Sequence, residues 1–129
     1  MGSSTTASGY YSMAMGLGTT SKSYTETVLG GYNTVYTPLS SSTWNAADRL
    51  FVIGNGTGAG SESDAMVVLK NGNIGIGTAL PKSRLQVSSG DVYIDDNTKG
   101  VIMKSPDGTC YRLTVANGGS AVFTAIACP

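Results

Sequence analysis

Cys110 and Cys128 are the only thiols of the chain. They stand near the outer ends of two runs joined through Asn117, Gly118 and Gly119. If those runs pair as a hairpin centred on Gly119, the two cysteines face each other across it. Closing a loop of that size stabilises by roughly 3 kcal/mol in the chain-entropy model. Two cysteines in a chain of extracellular character favour a disulfide, with buried free thiols as the alternative. The sequence has no histidine to activate either thiol. That absence also excludes Ser-His-Asp and Cys-His catalysis and the usual zinc sites. Carboxylate pairs remain. Glu62 and Asp64 lie in a glycine-serine stretch, and Asp95 and Asp96 adjoin Asn97 in a turn signal. Such pairs could run glycoside hydrolysis or hold calcium, but aspartates in turns more often cap their own backbone. The glycine loop at 54–60 lacks the spacing and the lysine of a phosphate cradle. Asn55-Gly56-Thr57 is a single glycosylation sequon. The reading is therefore non-enzymatic, with no catalytic residue, no metal and no cofactor implied.

Aromatic residues are the other chemical resource. Tyr10, Tyr11, Tyr24, Tyr32 and Tyr36 crowd one segment, and Trp44 follows. Aromatic faces stack on sugar rings while nearby hydroxyls and amides supply polar contacts. Tyr10 and Tyr24 hold corresponding positions of a repeat and are expected to pack between its copies. Tyr11, Tyr32, Tyr36 and Trp44 are the candidates for an exposed ligand surface.

The repeat is what must position them. Residues 6–19 (TASGYYSMAMGLGT) and 20–33 (TSKSYTETVLGGYN) match at an offset of 14, with Tyr10 on Tyr24, Ala14 on Val28, Met15 on Leu29 and Gly16 on Gly30. Fourteen residues can hold a short strand, a glycine turn and a second short strand. Each such unit buries its apolar face on its neighbours or on other chains. Further on, residues 50–53 and 65–69 are apolar on both parities, so both faces of those strands should be covered. Asn71-Gly72 signals a hairpin. Two stretches share the form I-G-x-G-T, at 53–57 and 74–78. Alternating glycines invite close approach of another backbone, and in a fibre Gly54, Gly56, Gly75 and Gly77 would pack near a symmetry axis. No helix of ordinary length is expected, although residues 45–50 could make one turn.

Residues 12–16 (SMAMG) resemble the Ser-x-Ala-x-Gly repeat of trimeric autotransporter adhesin heads, and Ala7-Ser8-Gly9 matches the spacer of that family. The second copy, Glu26-Thr27-Val28-Leu29-Gly30, keeps the apolar pair and the glycine but loses the serine. The resemblance implies a parallel β-roll, three chains wide. The string NGNIGIGTALP at 71–81 and SPDGTCYRLTV at 105–115 resemble segments of tail-fibre and cell-surface fibre proteins.

The expected architecture is all-β and elongated, a homotrimeric fibre. Residues 1–5 are read as a disordered leader, 6–36 as head-type β-roll repeats and 37–47 as a connector. Residues 48–89 form a glycine-rich shaft, and 90–129 a small four-stranded antiparallel module with strands at 91–94, 100–104, 109–115 and 121–127. Net charge is zero and charged residues are only 12%, so no basic stripe points to nucleic acid. No apolar run is long enough to insert in a membrane. The expected partners are other copies of the chain and a cell-surface glycan or receptor, outside the cell or on a virion. A purely structural or trimerisation subunit is the alternative, and a glycan-cleaving spike a lesser one.

Overall fold

The computed structural model describes residues 2–129, and every regular element among them is a β-strand. The chain forms two compact units, one ending at Asp91 and one spanning Val92–Pro129.

The first unit contains nine strands. They are β1 (Gly2–Ser3), β2 (Thr6–Ala7), β3 (Met13–Leu17), β4 (Thr20–Ser21), β5 (Thr27–Gly31), β6 (Arg49–Asn55), β7 (Asp64–Leu69), β8 (Ile74–Ile76) and β9 (Leu85–Val87). Seven make one sheet in the order β1-β3-β5-β6-β7-β8-β9, while β2 and β4 make a second, small one. The stack β1-β3-β5-β6 is parallel, with Gly2 opposite Gly16, Gly16 opposite Gly30 and Gly30 opposite Gly54. Thr6 lies opposite Thr20 in the second sheet. Each 14-residue repeat thus gives one strand to each sheet, and the structure is a β-solenoid. The stacked glycines are required: Gly16 has φ +123°, and a Cβ there would lie 1.8 Å from the Gly30 carbonyl oxygen.

Two expectations about boundaries are corrected here. Gly2 and Ser3 are not a disordered leader but the first rung of the stack, at the same 14-residue offset; Met1 lies outside the described residues. The stack also does not end at residue 36. β6 is its next rung, reached after 24 residues, with Val28 opposite Val52. The connector is a loop inserted into a coil. Residues 45–48 close a single hydrogen-bonded turn, Asp48 N–H to Asn45 O at 3.1 Å. The direction then reverses: β6–β7 and β7–β8 are antiparallel, the latter turning at Asn71-Gly72 as expected, and β8–β9 is parallel.

An apolar column runs through the interior of the first unit. Ala14, Val28, Val52 and Val67 face one another in register and are buried, with Leu69 beside them. Thr19, Ser21, Ser23 and Asn33 are buried as well. Asn33 replaces a strand partner. Its side-chain Oδ1 accepts from Thr20 N–H at 2.8 Å, and its Nδ2 donates to Thr20 O at 3.0 Å.

Flanking the inward residues, two columns point outward. One is Met15, Leu29, Ile53, Met66, Ile76 and Val87; the other is Met13, Thr27, Phe51, Val68, Ile74 and Leu85. The runs at 50–53 and 65–69 are apolar on both sides, but the expectation that both faces are covered holds only for the inner one; the outer face is not covered by its own chain. Ile53, Ile76, Leu85 and Met13 remain exposed.

In the second unit β10 (Val101–Lys104), β11 (Cys110–Val115) and β12 (Ala121–Ile126) form an antiparallel sheet of three strands, not four. Residues 91–94 have strand-forming side chains but gain no ladder, and Val92 and Tyr93 stay exposed. Cys110 and Cys128 form a disulfide with a Cα–Cα distance of 5.3 Å. The register sets Cys110 opposite Ile126, not Cys128. The turn is therefore centred on Gly118, one residue earlier than expected, and the bond runs diagonally.

Candidate functional site

The coil's interior becomes ionic where the connector joins it. Asp48 immediately precedes β6 and Arg49 opens it, and Lys70 follows β7 at the same end of that strand pair, while Asp64 opens β7 opposite Gly54 and is reached by the Arg49 side chain. All are buried, as is Glu26 from the turn before β5. Arg49 forms an ion pair with Asp64 at 3.5 Å and donates to Thr34 O at 2.7 Å and Thr34 Oγ1 at 2.8 Å. Asp64 also accepts from Thr34 N–H at 2.9 Å and from its hydroxyl. The Asp48 carboxylate accepts from the N–H groups of Leu39 and Ser40 at 2.8 and 2.9 Å, which fixes the connector. Glu26 Oε2 accepts from Lys22 and Ser23 N–H, at 2.8 and 2.9 Å. Burial pushes the Glu26 carboxyl above its ordinary pKa and the Lys70 ammonium below its own, against the pull of the opposite charges nearby.

Lys70 Nζ lies 2.9 Å from Ser23 Oγ, a spacing that a Ser-Lys nucleophile would share. The hydrogen-bond order is wrong for that chemistry. Ser23 donates its proton to Arg49 O at 2.6 Å and so receives one from Lys70. Ser23 is also fully buried. The pair ties the coil to β6 and β7.

The four aromatic candidates separate. Tyr36 turns inward: the Arg49 guanidinium lies 4.3 Å from its ring centre, and its hydroxyl accepts from Arg49 N–H at 3.1 Å. Tyr32 is half-buried with its ring over Gly18, where a Cβ would come within 2.5 Å. Tyr11 and Trp44 are exposed, at 82% and 57%. Lys70 Nζ lies 5.8 Å from the Trp44 ring centre. Tyr11, rather than Tyr10, makes the edge-on contact with Tyr24, at 5.7 Å. The positive φ of Tyr11 (58°) recurs at its repeat equivalent Thr25 (57°), so this backbone conformation is a feature of the coil's corner.

The glycines meet their own chain. A Cβ on Gly54 would lie 2.6 Å from Gly31 O, one on Gly56 2.2 Å from Tyr32 O, and one on Gly75 2.5 Å from Thr78 O. Gly77 has φ +66° in a turn. Their crowding thus arises within one chain and requires no symmetry mate.

The carboxylate pairs part as well. Asp64 is buried while Glu62 is exposed beside Gly60 N–H. Asp96 accepts from Thr98 N–H and Oγ1 at 2.8 and 2.7 Å, capping its own turn. No cluster of three metal-ligating side chains occurs among the described residues. What the sequence reading missed is the buried network. Its one signal is a charge placed directly at the edge of an apolar run, as in Asp48-Arg49, Asp64 and Lys70.

No family model, curated protein or solved structure matches the chain.

Proposed function

We propose that the chain is a non-enzymatic segment of a trimeric fibre, of tail-fibre or adhesin type, that serves attachment to a cell surface. The outer face of the seven-stranded sheet carries this reading. Six neighbouring rungs at about 4.8 Å spacing make a stripe about 24 Å long, two side chains wide and almost wholly apolar. Contiguous apolar surface on that scale marks an association site. Three copies are the stoichiometry that the resemblance of residues 12–16 implies. Three sites on one axis would then turn weak surface contacts into useful avidity. The exposed rings of Tyr11 and Trp44 favour attachment over a purely structural subunit.

Light scattering on the intact protein tests the assembly. The expected mass is about three times that of the 13.2 kDa chain, and Ile53→Lys with Ile76→Lys should return it to a folded monomer. A stable monomer at micromolar concentration, or a trimer indifferent to both lysines, would overturn the reading. Binding of the trimer to glycan-coated surfaces decides between attachment and a purely structural role.

A further inference from the structure

The coil and its connector border a shallow, open cleft of about 460 Å³ that none of the candidate aromatics lines. One wall is Ser8 and Lys22, which follow β2 and β4 and occupy equivalent places in successive coils. The other runs from Thr37 through Pro38, Leu39 and Ser40 to Ser41. That wall is fixed. Asp48 holds the N–H groups of Leu39 and Ser40, while Tyr10 and Tyr24 N–H donate to Ser41 O and Ser40 O at 2.8 and 3.2 Å. Leu39 is nonetheless 71% exposed, an apolar side chain held outward by a loop that cannot withdraw it.

We propose that this cleft binds a sugar bearing a carboxylate, an inference that rests on the attachment reading and names its ligand class. Pro38 and Leu39 offer an apolar platform for a ring face, and the Thr37 and Ser41 hydroxyls offer partners for its alcohols. Lys22 decides the charge. Its backbone N–H is bound by Glu26, but its ammonium forms no ion pair among the described residues, and no carboxylate lines the cleft. An anionic group there gains a charge-assisted hydrogen bond, about twice as strong as a neutral one. The volume lies within the range of ordinary small-ligand pockets, large enough for a sugar ring.

Titrating the full chain with sodium glucuronate, glucose and sodium acetate, followed by amide chemical shifts, tests this. Glucuronate should shift Ser8, Lys22 and Leu39 saturably, and more tightly than glucose or acetate. Lys22→Gln should weaken glucuronate by about tenfold, to the level of glucose, without moving the melting temperature. Leu39→Ala should weaken both sugars. No saturable shift, equal binding of glucose, acetate as tight as glucuronate, or an unaffected Lys22→Gln variant would each overturn the proposal. Light scattering keeps the two readings apart. A trimer that ignores glucuronate sinks the cleft alone, and a monomer that binds it sinks the fibre alone.

Discussion

Glu26 sits wholly inside the coil with one oxygen satisfied and the other, Oε1, without a hydrogen-bond partner. A carboxylate in that position loses hydration that two N–H donors and the charges of Arg49 and Lys70 do not restore, so its pKa is raised. The folded chain therefore binds this proton more tightly than the unfolded chain does. The associated stability is complete below the ordinary carboxyl pKa of 4.5 and is lost as pH rises through the higher folded value. Glu26→Gln keeps an oxygen for Lys22 and Ser23 N–H but cannot ionise. Its melting temperature should gain on the parent's progressively from about pH 4 to about pH 7. A difference that stays constant across that range would show that folding does not raise the Glu26 pKa. The nearby Arg49–Asp64 ion pair acts differently. A buried pair contributes little net stability, but removing one partner is costly, and this one holds Thr34 between β5 and β6 while Asp48 fixes the connector.

At the scale of the strand, the glycines separate crowding from flexibility. Gly54 and Gly75 are buried with carbonyl oxygens where a side chain would go, whereas Gly58 has no atom within 4 Å of such a position. Overpacking costs typically about 1–3 kcal/mol. Gly54→Val and Gly75→Val should therefore lower the denaturation midpoint markedly and Gly58→Val hardly at all; equal effects at all three would contradict the crowding. Because the obstructing atoms belong to the same chain, the loss should appear in the fold itself and not only in assembly. Much of this element structure was legible beforehand. Tyr10 on Tyr24 and Gly16 on Gly30 gave the 14-residue coil, and Asn71-Gly72 gave the hairpin. Residues 50–53 gave a two-sided strand. The rest was hidden for physical reasons. A loop inserted between Val28 and Val52 breaks the period without breaking the ladder, because stacking depends on register in space and not along the chain. Alternating glycines report that a backbone is near but not whose it is. Val92, Tyr93 and Ile94 have strand propensity, yet they join no ladder although the β10 edge is unpaired, because propensity alone does not decide pairing. Among the candidate ligand residues, Tyr36 was assigned by its ring, while its position is set by Arg49, distant in sequence.

The solenoid unit as a whole is quasi-one-dimensional, and its stability should be close to a sum of coils and their nearest-neighbour interfaces. That view makes a prediction about length. Removing residues 6–19 joins Thr5 to Thr20, so that Gly2 stacks on Gly30 and Thr20-Ser21 take the place of Thr6-Ala7. The second coil retains Ser23, Glu26 and Asn33, and with them its ties to Arg49, Lys70 and Thr20. The buried column loses only Ala14, and the outward stripe loses Met13 and Met15 but keeps its remaining rungs. A shortened chain should therefore fold, melt cooperatively at a lower temperature and still assemble through Leu29, Phe51 and Ile53. Removing residues 8–17 instead deletes fewer residues but leaves the coil out of phase. A 14-residue offset then sets Gly2 opposite Glu26 and Thr6 opposite Gly30, so a side chain falls where Gly16 had to be glycine. That variant should fail to give a cooperative transition. If both deletions behave alike, whether both folded or both collapsed, the 14-residue coil is not the unit of stability, and the stacked-glycine account of the fold is wrong.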